Sequence, residues 1–307
     1  GYVPIKDVNI GDMVLTHKNR WRSVTNVINN GLKKTVTVKG QGHYGLRVTE
    51  NHKFFAQEVL DYNDRKNKWG VKEKSEFKWL RADQMDGNLW STPASIPDIE
   101  IPNNVEKSKT TSLSYSIEIQ SNAFLWCLGL YVAEGSTSSS YGTGGKLNKS
   151  TWSIHVDEVD EVTNWMDKAG IKYFVQPVQS TSNCMNVVVA HINLAPWLSE
   201  QCGSGCYNKK IPLWFFSLPD DKRQSFYDGL VFGDGCNVKD DRYAEGQHAL
   251  STTSKSLAFL FRTLAHSLGR KTAITYTDAG IVSQIRDRYF TSGESFDVRS
   301  RVNGQGF

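Results

Sequence analysis

The sequence has no long hydrophobic run, and it contains few cysteines. Its most apolar stretch, near Phe124, is far shorter than the ~20 residues of a membrane-spanning helix. The first residues, GYVPIKDVNIGD, show neither the charged n-region nor the apolar h-region of a secretory signal. The five cysteines are an odd, scattered set, which favours reduced thiols over a disulfide framework. These absences predict an intracellular protein, of the cytoplasm or nucleoid, without a membrane partner.

The composition is that of an ordinary soluble protein. Of the 307 residues, 39% are hydrophobic and 22% are charged, which excludes a disordered or fibrous chain. The length allows about two domains of ~100–200 residues each. The formal net charge of +4 is mildly basic, so it is compatible with a polyanionic partner without requiring one.

The residue patterns divide the chain into a mainly β part and an α+β part. Residues 1–95 alternate short β-rich runs with Gly and Asn turn signals. A proline-containing linker, 96–119, precedes 120–307, which carries two similar repeats, about 120–205 and 206–303. The predicted helices are 121–134, 157–168 and 193–201 in the first repeat, and 220–233 and 254–268 in the second. The predicted strands are 151–156, 171–178, 185–191, 246–252, 271–277 and 295–302.

Two nine-residue stretches, LGLYVAEGS and DGLVFGDGC, share one pattern. In each, a glycine precedes a small residue by four positions: Gly129 and Ala133, then Gly229 and Gly233. Positions four apart lie on one face of a helix, so each predicted helix has a stripe without bulky side chains. Two such stripes can pack at close backbone distance. We therefore expect these four residues to form a helix–helix interface.

An acidic residue follows each stripe, Glu134 in the first stretch and Asp234 in the second. Packing the stripes together places both carboxylates side by side at helix C-termini, where the helix dipole is also negative. A divalent cation relieves this repulsion, and hard oxygen ligands suit Mg²⁺. The alternative is that two apolar helices merely end in polar caps. Because the spacing occurs twice, we interpret Glu134 and Asp234 as metal ligands.

Both stretches resemble the LAGLIDADG motif of homing endonucleases, and two copies in one chain indicate the single-chain, two-motif kind. Aligned to the motif, they read CLGLYVAEG and YDGLVFGDG. They depart from it at the sixth position, Val132 and Phe232, and Glu134 replaces an aspartate. The resemblance covers about 120–302 and implies an α+β fold with a pseudo-two-fold pair of αββαββα-type repeats. It also implies a DNA endonuclease that makes a double-strand break with two or more Mg²⁺ at the paired carboxylates.

The same resemblance implies basic catalytic residues that order water or stabilise the transition state. Lys209, shortly before the second motif, occupies the position of such a lysine in intein-encoded endonucleases, with Lys210 as the alternative. Arg301 or Arg299 is the candidate for the other half of the site. For each of these residues the alternative is an ordinary solvated surface charge.

The predicted strands of the repeats are candidates for DNA recognition. Segments such as KYFVQPVQS and FDVRSRV alternate polar and apolar residues, as expected for a strand with one buried and one DNA-facing side. Antiparallel strands in the major groove can read base edges. The predicted partner is a long double-stranded DNA site, bound by a monomer with an internal pseudo-dimer. The candidate DNA contacts are Lys172, Gln176, Gln179, Arg299 and Arg301.

The first part of the chain resembles a second module, the hedgehog/intein (Hint) domain of protein splicing. PIKDVNIGDMVLTH, VTENHKFF and WLRADQMDGNLWSTP look like consecutive pieces of it. TENH matches its T-x-x-H motif through Thr49 and His52. The nucleophile that starts such a domain and the His-Asn pair that ends it do not occur at the ends of this sequence. We therefore expect a partial Hint domain at 1–95 that does not splice alone, with the missing Hint segments as a candidate partner.

Three functions are compatible with these patterns. The leading hypothesis is a site-specific homing endonuclease that forms part of an intein. The second is a DNA- or RNA-binding protein with a decayed nuclease, as in intron maturases, although both acids are retained. The third is a protein-splicing module that carries a passenger endonuclease.

Overall fold

The computed structural model divides the chain into two compact units, Pro4–Pro97 and, in the main, Asp98–Phe307. This division lies within the predicted linker, 96–119. None of the helices in the described residues is both long enough and apolar enough to cross a membrane. The structure describes residues 3–18, 20–40, 43–58, 75–85, 88–90, 98–108, 115–140, 144–178, 183–238, 247–280, 282–285, 288–291 and 293–302.

The first unit consists of short antiparallel strands, in keeping with the β-rich runs of its sequence. They are β1 (Met13–Leu15), β2 (Trp21–Ser23), β3 (Thr35–Gly40), β4 (His43–Thr49), β5 (Lys53–Glu58), β6 (Lys78–Arg81) and β7 (Asn88–Trp90). Strand β1 pairs with β2, β3 pairs with β4, and β5 lies between β6 and β7.

Large apolar side chains of this unit are exposed to solvent. Ile5 is 88% exposed, Ile28 is 72% exposed, and Leu32 is fully exposed. The buried hydrophobic residues in the described part of the unit are Ala56, Ala82 and Met85. Because burial of apolar surface is the main stabilising contribution to a fold, the described part of this unit has only a small core.

The second unit contains two successive sets of helices and strands. The first set is α1 (Asn122–Glu134), β8 (Gly135–Ser138), β9 (Lys149–His155), α2 (Val159–Lys168), β10 (Phe174–Pro177), β11 (Cys184–Val189) and α3 (Leu194–Cys202). The second set is α4 (Asp220–Asp234), β12 (Gly235–Val238), β13 (Gln247–Thr252), α5 (Lys255–Ser267), β14 (Arg270–Thr277), β15 (Val282–Ile285), β16 (Arg288–Thr291) and β17 (Ser295–Val302). The α+β class expected for this part is confirmed.

Each set forms a four-stranded antiparallel sheet with a corresponding strand order. The first sheet is ordered β10-β11-β9-β8, and the second is ordered β14-β17-β13-β12. The strand that follows each motif helix pairs in equivalent register, with Gly135 opposite Trp152 and Gly235 opposite Leu250. Because side chains alternate along a strand, Trp152 is buried while Ser153 on the opposite face is exposed.

The motif helix α1 is the centre of the core. Ser121 starts the helix, because its hydroxyl oxygen accepts a hydrogen bond from the Phe124 amide at 3.2 Å. Every residue from Ala123 to Val132 is buried, as expected of a helix that is apolar on all sides. Trp126 of this helix stacks on Trp165 of α2 and contacts Phe232 of α4, with both ring centroids 5.1 Å away.

The structure differs from the sequence-based prediction at several elements. The strand expected at 171–178 begins only at Phe174, because the Lys172 amide donates to the Tyr115 hydroxyl oxygen at 2.6 Å instead of to a strand. The strands β8 and β12, directly after the motif helices, were not predicted. The helix expected at 157–168 begins with a 3₁₀ turn, Val156–Glu158, before α2.

Candidate functional site

The two motif helices contact each other through their backbones. A Cβ atom built on Gly129 would lie 2.1 Å from the carbonyl oxygen of Phe226 in α4. A Cβ atom built on Gly229 would lie 2.0 Å from the carbonyl oxygen of Trp126 in α1. Real Cβ atoms do not approach a backbone oxygen so closely, so only glycine permits this packing.

The last turns of the two helices also converge. A Cβ atom on Gly233 would lie 2.6 Å from the Cβ atom of Ala133 and 3.1 Å from the Cγ atom of Glu134. The four small residues of the two stripes therefore lie at one interface. Glu134 lies where that interface ends, against the last turn of the opposite helix.

Each acid is the last residue of its helix, and a glycine turns the chain directly into a strand. Gly135 and Gly235 adopt extended conformations and donate their amides to the carbonyls of Tyr131 and Val231. A side chain on Gly135 would collide with the Tyr131 ring at 2.2 Å. The carboxylates thus project from two adjacent helix C-termini, where the dipoles add negative potential.

The two acids influence each other electrostatically. Burial, together with the neighbouring charges of Asp234 and Glu158, raises the pKa of Glu134 to about 7, although the charge of Lys209 opposes the shift. Asp234 is more exposed than Glu134. Partial burial nevertheless raises the pKa of Asp234, and the charge of Lys209 opposes this shift as well. Two carboxylates whose ionised forms are disfavoured in the same place are a receptive site for a cation.

Lys209 is buried beside this pair, with 5% of its surface exposed. Its Nζ donates to the carbonyl oxygens of Tyr131 at 2.5 Å and Gly135 at 2.7 Å, so it binds the backbone on both sides of Glu134. Burial lowers the pKa of Lys209 to about 8, and the charges of Asp234 and Glu134 counteract part of that shift. Lys210, the alternative from the sequence, is less buried, and its amide donates to the Cys202 carbonyl oxygen.

The donor set fits a hard divalent cation. Both side chains offer carboxylate oxygens, which Mg²⁺ prefers, and Asp234 is accessible from solvent. Within the described residues, no group of three His, Cys, Asp or Glu side chains is arranged to hold a metal ion. The remaining ligands of a cation at this place would therefore be backbone carbonyls, water or the oxygens of a bound substrate.

The predicted DNA-contacting residues fall into different positions. Gln176 lies in β10 opposite Asn186, and Arg299 lies exposed in β17 opposite Ala249 and Ala273. Arg301 pairs with Lys271 in the backbone register. Lys172 precedes β10, and its ammonium lies 5.5 Å from the centre of the Tyr115 ring. Gln179 is outside the described residues.

The T-x-x-H residues lie in the first unit. Thr49 ends β4 opposite Thr35, and its carbonyl oxygen accepts a hydrogen bond from the His52 amide at 3.0 Å. The His52 side chain is exposed, and its ring contacts Phe54 with a centroid distance of 5.2 Å. The splicing role of these two residues stays a prediction.

Three residues near the candidate sites were not identified from the sequence. Glu158 adds negative charge to the Glu134 environment from a different element, and nothing in its local sequence indicates this. Tyr131 provides both a carbonyl and a ring for Lys209. Asn186 lies in β11, with its amide oxygen 2.8 Å from the Ser153 hydroxyl. A polar residue within this otherwise apolar strand was the sequence feature that could have identified it.

Comparison with known proteins gives distant similarities. No protein-family model matches the chain. An uncharacterised protein of Methanocaldococcus jannaschii is 27% identical over 205 residues, which are 64% of this chain and 21% of that protein. An ATP-dependent DNA helicase of Thermococcus kodakarensis is 25% identical over 308 residues, covering 89% of this chain and 27% of the helicase. The replication factor C small subunit of Methanocaldococcus jannaschii is 25% identical over 232 residues, 70% of this chain and 12% of that protein.

The chain thus spans about a fifth to a quarter of the length of the first two of these relatives. Among solved structures, I-DmoI in complex with DNA and calcium covers 61% of this chain and 87% of its own, with a TM-score of 0.40 and 12% identity. The N-terminal LAGLIDADG domain of WhiA covers 64% of this chain and 87% of its own, with a TM-score of 0.32 and 12% identity. Similarities of this size do not assign an activity to the chain.

Proposed function

We propose that this chain is a site-specific homing endonuclease that makes a magnesium-dependent double-strand break in a long DNA target. One observation carries the proposal: Glu134 and Asp234 end two helices that touch through Gly129 and Gly229. Each acid directly precedes the first strand of one of two sheets that have corresponding strand orders. One carboxylate for each half of the molecule suits a substrate with two strands to cut.

The residues at the helix ends would share the chemical work. Glu134 and Asp234 would hold the metal ions through their carboxylate oxygens. When bound, Mg²⁺ supplies an activated water and stabilises the charge of the leaving oxygen in phosphodiester hydrolysis. Lys209 holds the backbone on both sides of Glu134 and so maintains the direction of that carboxylate. Its positive charge also reduces the repulsion between the two acids.

The sheets would bind the DNA through the faces that the helices leave uncovered. In the second sheet, Lys271 and Arg299 are exposed on strands β14 and β17, where they would meet phosphates. The position of Arg301 opposite Lys271 extends this row in the backbone register. Phosphate contacts position the protein, and side chains that reach the base edges provide sequence discrimination.

Cleavage of a selected duplex tests this function. A duplex enriched from a randomised pool by binding in Ca²⁺ is cloned into a supercoiled plasmid, and the products in Mg²⁺ are resolved on a gel. We expect linear product from the wild type, none from Glu134→Gln or Asp234→Asn, and retained DNA binding in both variants. Asp228→Asn is the matched control, because this acid lies on α4 outside the helix contact.

The outcomes separate the competing functions. Binding without cleavage by the wild type would indicate a DNA-binding protein with a decayed nuclease. Wild-type cleavage rates in both acid variants would overturn the two-carboxylate site. Nicked product from one variant would mean that each acid serves mainly one strand, which is compatible with the proposal.

We further infer that the chain is part of an intein. The DNA helicase and the replication factor C small subunit are different proteins, yet each resembles this chain over a minor part of its length. A sequence that recurs inside unrelated proteins is expected of an inserted element. The helicase match spans 89% of this chain, so it includes residues of both units. The exposed Ile5, Ile28 and Leu32 suit a unit that further Hint segments complete.

Protein splicing tests the intein context separately from cleavage. The chain is joined to an N-terminal and a C-terminal Hint segment between reporter flanks, and ligated flanks are detected by mass spectrometry. Ligated flanks that disappear in His52→Ala support a functional intein. If the joined protein cleaves DNA efficiently but yields no ligated flanks, the endonuclease proposal stands and the splicing role is contradicted.

A further inference from the structure

The uncovered faces of the two sheets differ in chemistry. In the first sheet the register places Thr151, Ser153, Gln176 and Asn186 on one face, and none of them is charged. The basic residues of that face in strand β9 are Lys149 and His155, at the two ends of the strand. The second sheet instead presents Lys271, Arg299 and Asp297 in adjacent register positions.

Three polar side chains of the first sheet form a row across neighbouring strands. Gln176 of β10 lies opposite Asn186 of β11, and Asn186 lies opposite Ser153 of β9. Residues directly opposite each other in an antiparallel pair project to the same face with Cβ atoms about 5 Å apart. Trp152 and Val187, the strand neighbours of Ser153 and Asn186, are buried on the other face, so these two side chains project away from the core. Gln176 shares their face through its register with Asn186.

A hydrogen bond orients the central amide of this row. The Ser153 hydroxyl donates to the Asn186 Oδ1 at 2.8 Å. An amide oxygen accepts two hydrogen bonds and its nitrogen donates two, so Asn186 keeps an acceptor and a donor side by side. That pair matches the N6 donor and N7 acceptor of adenine in the major groove.

The row lacks the groups that select the other bases. Guanine is read by Arg or Lys donors and cytosine by Asp or Glu acceptors, whereas Asn and Gln pair with adenine. Phe174 lies two residues before Gln176 on the same strand and is 48% exposed. An exposed phenyl ring next to an adenine-reading amide suits the methyl group of thymine.

We propose that the first sheet reads an A·T-rich half-site, with Asn186 and Gln176 each pairing with an adenine and Phe174 contacting a thymine methyl group. This inference rests on the proposed function, because it requires the uncovered face of the sheet to lie in a DNA groove. Ser153 is a positioning residue that holds the amide of Asn186 in the pairing orientation.

Selection of duplexes from a randomised pool, in Ca²⁺ and followed by sequencing, tests the inference. The wild type should enrich adenine at neighbouring positions of one half-site. Asn186→Ala should lower the preference at one of these positions by at least about fivefold and leave the other half-site unchanged. Asn186→Asp keeps the shape but replaces the donor with an acceptor, so the preference at that position should move from adenine towards cytosine.

Two control variants separate base reading from general affinity. Asn122→Ala removes an exposed amide at the start of α1, away from the sheets, and should leave the enriched sequence unchanged. Arg299→Ala should weaken binding to all sequences alike and reduce the salt slope by about 0.9. An enriched sequence that is G·C-rich in both halves, or unchanged in Asn186→Ala and Asn186→Asp, would overturn the inference. A pool with no enriched sequence at all would overturn the proposed function itself.

Discussion

Lys209 lies at the C-terminal end of the first motif helix, where it contacts both the carbonyl oxygen and the ring of Tyr131. Its Nζ lies 2.5 Å from the Tyr131 carbonyl oxygen and 3.6 Å from the centre of the Tyr131 ring. The lysine that precedes the second motif thus acts on the helix of the first motif. A positive charge at a helix C-terminus is stabilising, and here it lies next to the carboxylate of Glu134.

Replacing the two adjacent lysines should have unequal effects. Lys209→Met removes the buried ammonium that donates to the Tyr131 and Gly135 carbonyls, of which Tyr131 keeps the Gly135 amide, and this should cost about 1–3 kcal/mol of unfolding free energy. It should also abolish double-strand cleavage. Lys210→Met is the matched control and should change the unfolding free energy by about 0.5 kcal/mol or less. Urea unfolding and plasmid cleavage measure both effects, and equal behaviour of the two variants would contradict this assignment.

The glycine contact should not tolerate even a methyl group. Gly129→Ala and Gly229→Ala each place a Cβ atom against a backbone oxygen of the other helix, so the helices must move apart. We expect a loss of about 1–3 kcal/mol or more, and a larger loss for the corresponding leucine variants. Asp228→Ala, at an exposed position beside Gly229, is the control. Thermal unfolding measures the change, and an unaltered melting temperature in the glycine variants would mean that the two backbones are not in contact.

The pKa of Glu134 predicts how the stability of the metal-free protein depends on pH. Its pKa rises from 4.5 to about 7 on folding, so between these values the folded state holds a proton that the unfolded state has released. The contribution of protonated Glu134 to the free energy of unfolding is therefore fully present below about pH 4.5, and it is lost as the pH rises to about 7. Glu134→Gln should therefore become more stable relative to the wild type across this window, by up to ~3 kcal/mol.

Chemical unfolding at several pH values measures this difference, with the exposed Glu200→Gln as control. Mg²⁺ should stabilise the wild type more than Glu134→Gln above pH 7, because it binds the ionised carboxylate. A difference between Glu134→Gln and the wild type that does not vary with pH would contradict the burial of this carboxyl group.

Footprinting in Ca²⁺ should reveal a long, nearly non-palindromic site. The two sheets differ in sequence and in charge, so they should protect two half-sites of different sequence. Binding should weaken steeply with salt, with log K declining by ~0.9 for each phosphate neutralised. Protection of only a few base pairs, or equal affinity for scrambled DNA at moderate salt, would favour a general nucleic-acid binder.

The local residue patterns were sufficient to predict the two helices that form the candidate site. The helices predicted at 121–134 and 220–233 are observed as α1 and α4 with end points that differ by one residue. The spacing of Gly129 and Gly229 also indicated which faces would meet, because a helix repeats its faces every three to four residues. Such regularities lie within one segment, so a sequence contains them directly.

The positions of the polar side chains around the site depended on the tertiary structure. Lys209 meets Tyr131, and Glu158 affects Glu134, across elements that are distant along the chain. The late start of β10 likewise results from the hydroxyl of Tyr115, which lies far before it in sequence. A residue pattern states which side of its own element a side chain occupies. Which distant group that side chain then meets is decided only when the helices and sheets pack, since packing alone sets their relative positions.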